Sequence, residues 1–152
     1  MRQVTVSRPI AVPPARALQA FTDEQMLRDW WGVEQCLIDP RPGGLYTLLW
    51  GVSEQGIRFV STGVIKTFQP GRLLEVGDYL YLNAERPPLG PLTLRVLAEP
   101  AANNTCTLSI DQGPYPEGRG EHWDWYFDAV HSAWPLVIER IKEYLEGLRV
   151  EV

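Results

Sequence analysis

The segment that most constrains this chain lies near its C-terminal end, where Trp123, Phe127, Val130, Trp134, Ile138, Ile141, Leu145 and Leu148 recur every three or four residues. That period is the signature of an amphipathic helix. From about Glu121 to Gly147 it would extend roughly 40 Å at 1.5 Å per residue, enough to cross an entire small sheet. A helix with one apolar stripe must bury it, so the preceding residues have to supply a matching surface. Pro135 lacks an amide donor and clashes with the carbonyl of His131, which predicts a kink there.

The preceding residues read as strands. Residues 2–8 alternate, with Val4 and Val6 on one side and Gln3, Thr5 and Ser7 on the other, the period of a half-buried strand. Pro13-Pro14 stops it, and Ala15 to Phe21 is rich in helix formers, with Leu18 and Phe21 on one face. Thr22-Asp23-Glu24-Gln25 carries a capping-box pattern, predicting a second short helix through Met26, Leu27 and Trp30 that Gly32 ends. From Val33 to Ile110 short apolar runs alternate with Gly, Pro and Asn clusters, which places strands near 33–38, 45–51, 57–68, 73–82, 91–98 and 105–111. No helix intervenes between these strands to allow parallel crossovers, so the expectation is an α+β domain spanning residues 1–152: one curved antiparallel sheet of six or seven strands wrapped around the C-terminal helix. Where sheet and helix diverge, an aromatic-lined hollow is a natural small-molecule site.

Composition narrows the function classes. A formal charge of -5, from 14 basic and 19 acidic residues, provides no cationic field for a phosphate backbone, so nucleic acid is not an expected partner. No run of about 18 apolar residues marks an integral membrane segment, and the start lacks the apolar core of a secretory signal. Cys36 and Cys106 lie in strand-like apolar surroundings and read as reduced thiols. Cytoplasmic localisation is the resulting expectation.

Several segments, taken in order, resemble a known family. They are Phe21-Thr22-Asp23-Glu24 with Trp30-Trp31-Gly32, Asp39-Pro40-Arg41-Pro42-Gly43-Gly44-Leu45-Tyr46, Gly63-Val64-Ile65 with Pro70-Gly71-Arg72-Leu73, Asn104 to Leu108, and Trp134 ahead of Leu136 to Leu145. The set resembles the domain of activator of heat-shock-chaperone ATPase homologues. It implies membership of the START-like, or SRPBCC, superfamily shared with the major birch pollen allergen and polyketide cyclases, whose helix-grip fold encloses a hydrophobic cavity. Ala133 and Pro135 depart from the family's usual glycine before this tryptophan and non-proline after it, pointing to a different cavity end.

Among six tryptophans, Trp30 and Trp134 read as core, whereas Trp50 and Trp123 are candidate pocket walls. Tyr79 and Tyr81 share one side of their strand, and Phe59 joins that wall from a neighbouring strand. Phe127 and His131 sit on the helix stripe and are expected to face the sheet. The candidate ligand-binding set is thus Trp50, Phe59, Tyr79, Tyr81, Trp123, Phe127 and His131. No residue is assigned a catalytic role. His122 and His131, nine apart, fall on opposite sides of a helix and cannot share a metal, so no metal or other cofactor is expected. Asp124 and Asp128 read as solvated face residues, and alternation leaves open which sheet face Glu75, Asp111, Arg58 and Arg95 occupy. Neither Gly43-Gly44 nor Gly118-Arg119-Gly120 has the context of a phosphate loop, and no serine sits in a nucleophile elbow.

Three functions follow as expectations. The first is non-catalytic binding of a small hydrophobic molecule, aromatic or lipid-like. The second is a cyclase-, dehydratase- or hydrolase-like enzyme in which His131, a tyrosine hydroxyl or Asp111 moves protons. The third, suggested by the family resemblance alone, is a chaperone ATPase activator-like cofactor with a chaperone as partner.

Overall fold

The computed structural model describes residues 1–150, with side chains through Gly147, so the last member of the predicted stripe, Leu148, lies outside the described side chains. Strand β1 (Arg2–Ile10) is followed by helices α1 (Pro14–Gln19) and α2 (Glu24–Trp31). Strands β2 (Gln35–Ile38), β3 (Leu45–Ser53), β4 (Gly56–Gln69), β5 (Leu73–Asn83), β6 (Leu89–Ala101) and β7 (Thr105–Tyr115) come next, and helix α3 (Glu121–Val150) follows them. All strand pairs are antiparallel, in the order β1-β7-β6-β5-β4-β3-β2. The architecture is the expected α+β helix-grip arrangement, with seven strands.

The chain meanders from β2 to β7 through hairpin connections, and β1 closes the far edge by pairing with β7. Register shifts between β4 and β5 and between β5 and β6 break the regular ladder, and Asp78 adopts φ 49 at that irregularity. Bulges of this kind bend a strand and strengthen its twist. They fall where Tyr79 and Tyr81 project from β5.

The helical corner is locked by side-chain to backbone hydrogen bonds. Trp30 Nε1 donates to the Ala20 carbonyl at 2.8 Å and the Tyr46 hydroxyl of β3 donates to the Phe21 carbonyl at 2.7 Å. Both carbonyls belong to the turn between α1 and α2, where helix-end groups need outside partners. The cap of α2 is Asp23, whose carboxylate accepts from the Met26 amide at 2.9 Å, and not Thr22 as the capping-box pattern suggested. Aspartate is at least as good a cap as threonine, and the pattern shifts by one residue without cost. Gly32 ends the helix at φ 70, a left-handed conformation that glycine adopts freely.

Helix α3 runs continuously through Pro135. The amide that proline lacks would have bonded the carbonyl of His131, an exposed position where water can take its place. Trp134, Ile138, Ile141 and Leu145 are buried in the core beside Leu94, Val96, Leu108 and Ile110 of β6 and β7. Arg8 of β1 pairs with Glu139 at 2.6 Å, and Lys142 donates to the Pro9 carbonyl at 2.7 Å, so the helix is fastened along the β1 edge.

The turn before β3 is sterically closed. A Cβ on Gly44 would lie 2.0 Å from the Asp39 carbonyl oxygen and 3.0 Å from that of Arg41. The turn cannot simply move aside, because the Gly43 amide donates to Ile65 and the Ile65 amide to Gly44, at 2.8 Å each. Gly44→Ala should therefore lower stability by about 2–4 kcal/mol in a denaturant titration. The control Gly147→Ala, at a helical site with open surroundings, should be neutral or stabilising by up to about 1 kcal/mol.

Candidate functional site

Between α3 and the β3–β5 part of the sheet lies a cavity of about 520 Å³. Its size falls within the usual range for small-molecule sites. Trp31, from the last turn of α2, and Trp50, from β3, form one end. Their rings stand 5.5 Å apart at 74°, and Trp50 Nε1 donates to the Trp31 carbonyl at 3.2 Å. Trp31 also stacks on the buried Trp30 at 4.8 Å and meets Trp134 of α3 at 5.6 Å. One indole thus ties the helical corner to the C-terminal helix.

The opposite wall is built from Tyr81, Trp125 and Tyr126. Tyr81 and Tyr126 stack at 5.2 Å and 15°, with Trp125 between 6.3 and 6.4 Å from both. Outside the cavity, the Arg86 guanidinium lies 3.6 Å over the Trp125 ring and donates to His122 Nδ1 at 3.2 Å, holding the β5–β6 loop against α3. Ala129 and Ala133, both exposed on α3, leave the helix side of the hollow open. The methyl group of Ala133 borders the opening.

Polar atoms are few and neutral. Ser61, Tyr79, Tyr81, Gln112, Tyr126 and the indole N–H groups contribute them to the lining, which contains no carboxylate, imidazole, thiol or cationic side chain. Trp134 Nε1 donates to Gln112 Oε1 at 2.8 Å, and Gln112 Nε2 donates to the Tyr126 hydroxyl at 3.3 Å. Burial, only partly offset by the neighbouring Ser61 hydroxyl, pushes the Tyr79 phenol up to about 12. Burial likewise raises Tyr126 and the adjacent Tyr115, whose hydroxyl is buried with no hydrogen-bond partner. Desolvation penalises the phenolate, so these groups stay protonated throughout the neutral range.

The residues expected from the sequence divide between two places. Trp50, Phe59, Tyr79 and Tyr81 line the cavity. Trp123, Phe127 and His131 do not. They occupy a different row of α3, facing the β1 and β7 end: Trp123 and Phe127 pack edge-on against Tyr115, and the Arg2 guanidinium covers Phe127 at 4.7 Å. His131 is exposed and rests on Phe127 at 5.3 Å, instead of facing the sheet. The physical reason is helical phase. Residue 127 lies about 100° around the helix from 126, so the cavity takes the rows of Trp125, Ala129 and Ala133 and of Tyr126, Val130 and Trp134.

The carboxylates are also settled. Thr5, Asp111, Arg95 and Glu75 are successive register partners across β1, β7, β6 and β5, on the sheet face opposite to α3. Thr5 donates to Asp111, and Arg95 pairs with Glu75 at 3.3 Å. Neither Asp111 nor Glu75 reaches the cavity, which removes Asp111 and His131 as proton-moving groups there. Arg58 is exposed and lies over the outer side of the Phe59 ring. Asp124 pairs with Arg2 at 3.0 Å, while Asp128 is exposed. Among the described residues no group of three or more potential ligands is placed to hold a metal.

Trp31, Gln112, Trp125, Tyr126 and Trp134 are among the lining residues that the sequence reading missed or took as core. A signal existed for Gln112. It ends the inward-facing alternation Cys106, Leu108, Ile110, and a glutamine in such a row needs a buried partner.

Comparison with known proteins agrees with this architecture. The model of the family described as Activator of Hsp90 ATPase homolog 1-like protein matches residues 11–146. Among solved structures, the chain is similar to protein MLL2253 from Mesorhizobium loti, with TM-score 0.72 and 18% identity over 96% of this chain and 98% of that one. It is similar to protein NE0264 from Nitrosomonas europaea, with TM-score 0.72 and 17% identity over 97% and 96%. The solution structure of the Aha1 dimer from Colwellia psychrerythraea aligns with TM-score 0.68 and 13% identity over 96% and 97%. At these identities the likeness is one of fold, and no curated protein matches the sequence. The family match, covering most of the chain, shows that the chain belongs to the Activator of Hsp90 ATPase homolog 1-like family.

Proposed function

We propose that this protein binds a small, uncharged, hydrophobic molecule, aromatic or lipid-like, in the cavity between α3 and the sheet. The observation that carries this reading is a hollow of about 520 Å³ walled by Trp31, Trp50, Phe59, Tyr81, Trp125 and Trp134 with no ionisable carboxylate, amine or imidazole in its lining. Flat rings suit such walls, because offset and edge-to-face contacts add to the burial of apolar area. A charged ligand would lose its hydration there without gaining a counter-charge.

A catalytic reading of the cyclase or hydrolase type is less well supported. General acid–base chemistry near neutral pH needs a group that exchanges protons in that range. In this cavity the proton-bearing side chains are hydroxyls, indoles and one amide, and Tyr79 is pushed up to about 12. A chaperone-activating role is suggested by the family description alone.

Thermal-shift screening of uncharged hydrophobic compounds, followed by native mass spectrometry of protein purified from its own host, tests the reading. Binders should quench the indole fluorescence of the four cavity tryptophans. Ala133→Phe, at an exposed position that tolerates bulk, should fill the mouth and weaken binding about tenfold or more without lowering the melting temperature. Unaltered affinity in that variant would place the ligand elsewhere.

Affinity for an uncharged binder should be flat between about pH 6 and 9, because the lining holds no carboxylate, imidazole, thiol or amine. Stability should behave differently at high pH. The Tyr79 phenol is raised in the folded state from its ordinary 10.0 to about 12, so the folded protein holds the proton more tightly than the unfolded chain does. Its contribution is fully present below pH 10 and is lost as the pH rises through 12. Melting temperatures across that window should fall as the phenolate absorption band grows. A step in affinity near pH 6.5 would instead indicate a histidine at the site.

A further inference from the structure

Two hydrogen-bond relays end in the cavity, and both run in the same chemical direction. The first begins at Trp134, whose indole N–H can only donate. Gln112 must therefore turn its carbonyl oxygen to Trp134, at 2.8 Å, and its NH2 to the Tyr126 oxygen, at 3.3 Å. The Tyr126 oxygen is thereby an acceptor, and its own O–H is left without an acceptor in the protein. Tyr115, whose ring lies 5.3 Å from that of Tyr126, has no hydrogen-bond partner either.

The second relay begins at the backbone amide of Glu85, which also can only donate. It donates to Asn83 Oδ1 at 2.9 Å, so Asn83 presents its Nδ2 to the Tyr81 oxygen at 3.3 Å. Tyr81 is again an acceptor with an unused O–H. Tyr81 and Tyr126 both line the cavity, and their rings are stacked 5.2 Å apart. Each amide side chain is oriented by a group that can only donate, so neither can flip to offer an acceptor without breaking a good bond. Two independent networks leave the same demand inside.

Resting on the ligand-binding reading above, we infer that the ligand is a flat, uncharged molecule bearing a carbonyl oxygen, received by the O–H donors of Tyr126 and Tyr81. The cavity lacks a cation, which disfavours a carboxylate as the acceptor even though its oxygens would fit the donors. A buried donor left without an acceptor costs more than a typical hydrogen bond contributes, so the site discriminates against ligands lacking the oxygen. Gln112 and Asn83 act here as positioning residues that fix which way the phenols point.

Fluorenone and fluorene test this, because they share one flat ring skeleton and differ in a carbonyl against a methylene. Isothermal titration of the wild-type protein should give about 3- to 10-fold tighter binding of fluorenone. Tyr126→Phe should bring the two within about twofold of each other, by weakening fluorenone and leaving fluorene unchanged. Tyr81→Phe should narrow the difference in the same way. Gln112→Leu, which frees Tyr126 to turn, should narrow it while both phenols remain.

Equal binding of the two probes by the wild-type protein would overturn the inference while leaving a hydrophobic binding site intact, and this comparison does not depend on any variant folding. Tighter binding of fluorene-carboxylate than of fluorenone would overturn the uncharged acceptor. Failure of both neutral probes to bind would overturn the cavity reading and this inference with it.

Discussion

Seven strands spaced about 4.8 Å apart present a surface about 29 Å wide, whereas one helix with its side chains covers about 10–12 Å. The molecule resolves that mismatch unevenly. Helix α3 is fastened along β1, where Arg8 and the Pro9 carbonyl hold Glu139 and Lys142. Its core stripe of Trp134, Ile138, Ile141 and Leu145 serves the neighbouring inner strands. At the other edge the end of α2 projects Trp30 and Trp31 over β3, anchored by Tyr46 and Trp50. Between these covered ends the middle strands have only side chains to face, and the two surfaces part. Bulges in β4 and β5 increase the local twist there and widen the separation.

An apolar hollow of this size persists only if its walls cannot collapse inward, since interiors otherwise pack to crystal-like density. The walls are rings braced from behind. Trp31 is held between Trp30, Trp50 and Trp134, and Trp125 is backed by the Arg86 guanidinium. Rigid rings with two side-chain torsions lose little entropy when so fixed. The same bracing sets the polarity of the site. Trp134 both supports Trp31 and donates to Gln112, so the residue that keeps the cavity open also orients its principal amide. Packing and recognition are coupled through one indole.

Much of the fold was legible because it depends on features that are local in sequence. The helix period from Trp123 onward, Gly32 as a helix stop, and the turn clusters between strands each act over a few residues. The capping pattern was displaced by one residue because Asp23 competes with Thr22 for the same role. The site was legible only in part. Strand alternation correctly groups Tyr79 with Tyr81, whereas helical phase at the start of α3 did not follow from the apolar stripe. There Trp123, Trp125, Tyr126 and Phe127 cover most of the circumference, and which row faces the hollow is decided by how α3 docks against Arg2 and Tyr115. The pairing of Glu75, Arg95, Asp111 and Thr5 on the outer face likewise depends on long-range register that alternation alone leaves open.

The division of α3 into rows also bears on how chains can share this fold at 13–18% identity in the structures compared. Burial of Ile138, Ile141 and Leu145 against the sheet carries stability, and truncating any of them would cost several kcal/mol in the range of about 2–5. Ala129 and Ala133 border the cavity but are exposed, and bulk added there is not forced into a packed core. Substitutions at Ala129 and Ala133 therefore change the shape and polarity of the hollow at little expense in folding, whereas those at Ile138, Ile141 and Leu145 do not have that freedom. The core and the cavity share Trp134 and otherwise draw on different rows of the helix. A shared architecture then carries information about where a ligand would sit, and the chemistry of the rings, hydroxyls and amides of each chain must be read for which ligand it is.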